Sequence, residues 1–150
     1  MTPEEIISFL PYSEPFLFVD ELIDISENGV IGSYTFQASS FFYKGHFKDF
    51  PVTPGVILTE TMAQIGLVCL GIFLLKNDLA DSKRPQIAMT SNEIDFMKPV
   101  FPGEKVTVTS EKIYFRFGKL KCKVKMENSE GKIVCQGTIA GMIKNIVNEK

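Results

Sequence analysis

Tryptophan is absent from this chain, histidine occurs once, and cations are outnumbered: 16 Lys and Arg face 18 Asp and Glu, for a net charge of −2. An acidic balance excludes a general nucleic-acid binder, which needs a cationic excess to displace phosphate counterions. Three cysteines, Cys69, Cys122 and Cys135, are odd in number and widely spaced. They match no disulfide framework or zinc site, so no metal is expected, and they read as reduced thiols of a cytoplasmic protein. The N-terminus has neither the basic nor the apolar region of a signal peptide. The longest apolar run, Ile65 to Leu75, falls short of the ~20 residues of a spanning helix, so no membrane insertion is expected. What the chain does have is phenylalanine, 13 in 150 residues. Phe adds bulk without a polar atom and suits a tight core or a tunnel for an aliphatic ligand. The length is that of one domain, spanning 1–150.

Punctuation along the chain predicts the elements. Thr2-Pro3-Glu4-Glu5 starts a short helix, with Thr2 as cap, Pro3 in the first turn and Glu5 closing a capping box. Pro11 stops it. β-branched and aromatic residues from Phe16 to Ile25, the Asn28-Gly29 turn, and Val30 to Phe36 predict a hairpin. A loop from Ala38 to Pro51 leads into one long helix, about Pro54 to Lys76, with Thr53 as N-cap. That helix is apolar on nearly all sides after its first turns, so protein must wrap it. A polar connection from Asn77 to Pro85 follows. Four strands are then expected: Ile87 to Phe96, Lys105 to Phe117, Lys119 to Glu127, and Lys132 to about Lys144. The pattern is α+β, a mainly antiparallel sheet curled around one buried helix.

The chemistry concentrates between Gly45 and Gln64. His46 is the lone imidazole, a proton acceptor near neutral pH. By itself it reads more readily as a loop histidine without a role. Glu60 lies in the second turn of the long helix among Val56, Ile57, Leu58, Met62 and Ala63. A carboxyl in such half-apolar surroundings has its pKa pushed up, as a general acid requires. Gln64, one turn on, is placed to hold it by a hydrogen bond. Pro54 has no N–H, so the free donors at the helix start belong to Gly55, Val56 and the next residue, Ile57, where the dipole favours negative charge. Such donors can stabilise an enolate oxygen derived from a thioester. The bland alternatives are a glutamate on the helix's wet stripe and an ordinary Pro-Gly turn; the three features together point to acid–base catalysis.

Gly45-His46-Phe47, Pro51, Pro54-Gly55-Val56 and Glu60 with Met62-Ala63-Gln64 resemble the signature of the FabZ-type 3-hydroxyacyl-acyl carrier protein dehydratases. The flanking segments Leu10 to Asp20 and Phe96 to Glu104 agree with it. The resemblance implies a hot-dog fold and a homodimer with two interfacial sites, the His of one subunit meeting the Glu of the other, some members assembling further as trimers of dimers. It implies His46 as base, Glu60 as acid, Gly55 and Val56 holding the thioester oxygen, and Gln64 in the substrate site. No cofactor is implied beyond the phosphopantetheine arm that carries the substrate. The expected activity is dehydration on acyl carrier protein in fatty-acid, polyene or other lipid synthesis. Lys48 stands where the family usually has Pro, and Tyr12 where it has His; both are expected to lie clear of the acid–base pair.

Two cationic features are candidates for docking acidic carrier protein. Lys44, Lys48 and Lys98 flank the site motifs. Lys119, Lys121, Lys123 and Lys125 alternate with apolar residues and so share one face of a strand, which is more readily the pattern of a plain solvent face. Two other functions fit the same residues: a hot-dog thioesterase using Glu60 to activate water, and a non-catalytic acyl-binding partner subunit.

Overall fold

A computed structural model describes residues 1–79 and 85–144. The first helix, α1 (Pro3–Ser8), has the expected capping box: the Thr2 hydroxyl accepts from the Glu5 N–H, and the Glu5 carboxylate accepts from the Thr2 N–H. Six strands follow in the chain: β1 (Glu21–Ser26), β2 (Gly29–Thr35), β3 (Gln86–Phe96), β4 (Lys105–Arg116), β5 (Lys119–Glu127) and β6 (Ile133–Lys144). They form one antiparallel sheet in the order β1-β2-β4-β5-β6-β3. The sheet curls around a single long helix, Gly55–Leu74, which is the hot-dog fold. Residues 80–84 of the expected polar connection lie outside the described residues.

Alternation writes the inner face. On β5, Leu120, Cys122, Val124 and Met126 are buried while the lysines between them reach outward. Ile65, Leu67, Val68, Leu70 and Ile72 meet them from the helix, and all three cysteines are buried and free. By length and composition this helix could cross a bilayer, contrary to the shortness expected from the Ile65–Leu75 run. Yet 78% of its apolar window is buried inside the protein. It is the core.

Three local expectations are corrected. The helix is not α throughout: α-helical Gly55–Ala63 passes through a wider π-helical stretch, Gln64–Cys69, before returning to α at Leu70–Leu74. At Gly66 the helix backbone lies against the sheet, where a Cβ would sit 3.0 Å from Val124 and 3.1 Å from Ser110, and the Ser110 hydroxyl donates to the Gly66 carbonyl. Next, the strand expected from Phe16 begins only at Glu21. The Phe16 carbonyl and the Phe18 N–H bond to a helix side chain instead of a neighbouring strand. Finally, Pro54, not Thr53, is the N-cap residue; the Thr53 hydroxyl is paired with the Tyr43 phenol in the interior.

One edge of the sheet stands out. β3 pairs with β6 alone and is exposed along nearly its whole length on both faces. A long edge strand without proline or lysine presents unpaired N–H and C=O groups to another strand.

Candidate active site

The helix start departs from expectation in its third donor as well as its cap: the Ile57 N–H, expected to be free, is paired. The first helical N–H groups to find an acceptor are those of Ile57 and Leu58, both on the Pro54 carbonyl, at 2.9 and 3.1 Å. The N–H groups of Gly55 and Val56 precede them and are left without an intrahelical partner. Phe96 packs against Gly55, its ring 3.3 Å from where a Cβ would be. Val56 is 76% exposed. A Cβ at Gly55 would therefore crowd both Phe96 and anything approaching the free donors.

Glu60, in the second turn, is half-buried. Gln64 is fully buried and makes three hydrogen bonds with its amide. Its Oε1 accepts from the Phe18 N–H at 2.8 Å, and its Nε2 donates to the Phe16 carbonyl and to Glu60 Oε2, each at 3.0 Å. A backbone N–H can only donate and a carbonyl can only accept, so the amide has one orientation that satisfies all partners. The NH2 must then face Glu60. It follows that Oε2 is the accepting oxygen and that an acid proton on Glu60 belongs on Oε1, away from Gln64. Burial pushes the Glu60 carboxyl above its ordinary range, with the Gln64 bond pulling the other way. Tyr12 lies close enough to feel this charge: burial first, then the charges of Glu60 and Cys69, hold its phenol well above the usual tyrosine range. Tyr12 thus stays protonated.

His46 is carried by the loop after a short 3-10 helix, Phe41–Lys44. Its Nδ1 is 2.9 Å from the Val52 carbonyl, and its backbone accepts from the Val52 N–H at 2.9 Å. A carbonyl only accepts, so Nδ1 carries the hydrogen and the neutral ring presents a bare Nε2. The Phe47 ring stacks on the imidazole, centroids 3.9 Å apart. Thr53 donates its N–H to the Val100 carbonyl at 2.8 Å, tying the Lys98–Phe101 segment to the same end of the helix. Lys44, Lys48 and Lys98 are all exposed there.

The structure therefore brings Glu60 and Gln64 together on the helix bearing Gly55 and Val56. Among the described residues, no hydrogen bond or ion pair joins His46 to Glu60 within the chain. Sequence reasoning missed the backbone of Phe16 and Phe18 and the Val52 carbonyl. These act through main-chain groups, which every residue carries, so only the tertiary fold marks them out.

Residues 10–143 match the model of the FabA-like domain. The chain belongs to the FabA-like family. Among curated FabA-like relatives, the 3-hydroxyacyl-[acyl-carrier-protein] dehydratase FabZ of Clostridium perfringens is 35% identical over 143 residues, covering 93% of this chain and 96% of the relative. That of Allorhizobium ampelinum is 37% identical over 145 residues, with 94% and 88% covered. Solved structures add the fold alone. A chain of the dehydratase heterocomplex ApeI:P from Xenorhabdus doucetiae superposes with a TM-score of 0.79 at 14% identity, covering 97% of this chain and 93% of that one. A thioesterase from Haemophilus influenzae gives 0.70 at 15% identity, with 99% and 94% covered. Fold likeness alone thus spans both chemistries, while the sequence relatives are dehydratases.

Proposed function

We propose that this FabA-like protein removes water from a 3-hydroxyacyl group held as a thioester on acyl carrier protein, leaving the trans-2-enoyl thioester. The observation that carries the reading is the Gln64 clamp, which fixes a desolvated carboxyl so that any proton it carries sits on the outward oxygen, on the helix whose first N–H groups are unpaired.

In this reading the thioester oxygen accepts from the Gly55 and Val56 N–H groups, which makes the C2 proton acidic. His46 Nε2 takes that proton. The C2–H electron pair forms the C2–C3 double bond as the C3–O bond breaks, and Glu60 Oε1 gives its proton to the departing hydroxyl. Water leaves, and the proton on His46 returns to the Glu60 carboxylate through solvent. The protein supplies no cofactor; the phosphopantetheine arm comes with the substrate.

The assembly is a homodimer in which His46 of one subunit faces Glu60 of the other. The bare β3 edge and the exposed Val56, Phe96 and Met97 beside the helix start support it, because apolar side chains around a strand edge need a cover. Carrier protein docks at the same end through Lys44, Lys48 and Lys98. Lys44 lines a groove of about 580 Å³ with Ser39, Ser40 and Pro51 and no acidic side chain, which suits an anionic visitor. The protein acts in the cytoplasm.

The test is turnover of a 3-hydroxyacyl-acyl carrier protein followed in two channels, enoyl-thioester absorbance and free thiol. Absorbance should rise while free thiol stays flat. Thiol release without enoyl absorbance would make the protein a thioesterase, and silence in both channels across acyl lengths would make it a non-catalytic subunit.

A further inference from the structure

The β4–β5 hairpin ends in residues that its own stability does not favour. Its turn is Phe117-Gly118, with φ of 53° and 75°, the pair of positive values that a type I′ turn requires. Asn, Asp or Gly suits the first place, whereas a bulky aromatic side chain there works against its own Cβ. Packing does not compensate, since Phe117 is 96% exposed. The strands then set Arg116 opposite Lys119, and like charges directly opposite weaken a ladder.

The charge around this tip is one-sided. Residues 112–126 hold six Lys and Arg and no acid, while the rest of the chain has ten cations against eighteen acids. The outward lysines of β5 are not one uniform row. Lys123 faces Glu111 across the ladder and Lys125 pairs with Glu127 at 3.6 Å. Among the described residues no ion pair involves Arg116, Lys119 or Lys121. The unneutralised cations therefore gather at the tip, around the exposed ring.

We propose that this hairpin tip docks the protein on an anionic lipid surface, Phe117 entering the boundary between headgroups and acyl chains while Arg116, Lys119 and Lys121 meet the phosphates. A two-residue apex offers far less area than the roughly 800 Å² per partner of a stable protein interface, whereas a fluid headgroup layer closes around a single ring ringed by cations. The protein as a whole is acidic, so general attraction to such a surface is absent and the local cluster must supply it. Docking here leaves the helix start open. Leu120, next to the tip, packs on Gly71, sixteen residues and about 24 Å along the helix from Gly55.

Sedimentation with vesicles tests this on the full chain. The protein should pellet with phosphatidylcholine–phosphatidylglycerol vesicles at low salt, and stay in solution with phosphatidylcholine alone or at high salt. Phe117→Asn suits the turn better than Phe, so its melting temperature should not fall, yet its vesicle binding should drop at least several-fold. Phe117→Trp gives the protein its only tryptophan, and its emission should shift to the blue on anionic vesicles. Wild type left in the supernatant at low salt would overturn the proposal. So would Phe117→Asn pelleting like wild type, an unshifted Trp emission, or tip variants that weaken acyl carrier protein binding and spare vesicle binding.

Discussion

Glu60 and His46 are held in opposite ways. The carboxyl stands on the core helix and is tied through a fully buried amide to the backbone of a distant segment. The imidazole hangs from an exposed loop by one ring hydrogen bond and a stack on a half-exposed phenylalanine. A group whose pKa must be raised needs burial and a fixed partner, because desolvation does the work. A base needs only its tautomer set and its lone pair free, and one carbonyl does that. The support of the Glu60 carboxyl is thus complete within one chain. The His46 side is open, on a loop with the exposed Phe47 and Phe50.

Kinetics give the largest break in this comparison. His46→Ala and Glu60→Gln are each expected to lower kcat by about 10²–10⁴-fold, measured as enoyl-thioester formation. Mixing the two inactive variants sharpens it. If each site takes His46 from one subunit and Glu60 from the other, every mixed dimer regains one intact site and activity returns. A mixture that stays as dead as its components would place both groups in one chain.

Stability should separate the two sides next. Gln64→Leu keeps the volume but strands the Phe18 N–H and the Phe16 carbonyl, of which Phe18 is buried. Each orphaned group costs about 1–3 kcal/mol, so chemical denaturation should show a loss of about 2–4 kcal/mol, with activity falling too. Nothing comparable is expected from the His46 side, whose removal leaves only the Val52 carbonyl, on a loop open to water. Equal losses from Gln64→Leu and His46→Ala would contradict the contrast.

How much of this was legible beforehand follows from the same contrast. The helix start, Glu60 and Gln64 lie in one continuous stretch with a helical period, so their juxtaposition could be read from spacing. The β5 alternation and the capping box at Thr2 were equally local. The clamp on Gln64 closes across forty-six and forty-eight positions of sequence, and no pattern in Phe16 to Phe18 distinguishes a backbone that bonds a side chain from one that bonds a strand. The π-helical stretch was hidden as well: it coincides with the close approach of the sheet at Gly66, a tertiary contact that the helix sequence does not display.

The raised carboxyl carries its own pH signature. A carboxyl whose folded pKa exceeds its unfolded value binds its proton more tightly when folded, so it favours folding at low pH. That advantage fades as pH rises through the unfolded and then the folded value. Above both, charged Glu60 works against the fold. Glu60→Gln keeps an oxygen for the Gln64 donor and removes the charge. Its melting temperature should exceed that of wild type by up to a few degrees at neutral pH and above, and the gap should close below the ordinary carboxylate range. A gap that widened on acidification would mean the folded pKa is lowered instead.

The smallest effect belongs to the loop. Phe47 is 54% exposed, so its ring contributes little to the core; its contact is the stack on His46. Phe47→Leu keeps an apolar side chain but loses the flat face that sets the imidazole plane. Folding stability should change by no more than about 0.5 kcal/mol, the ordinary range for surface positions. Turnover should fall several-fold, because the Val52 bond fixes the ring's tautomer while leaving rotation about that bond free. Imposing the plane is then the aromatic's share, and kcat should drop with KM nearly constant, since a tilted base costs the transition state more than it costs binding. If Phe47→Leu instead raised KM and left kcat untouched, the ring would be a wall for the acyl chain, and the base would be held by Val52 alone.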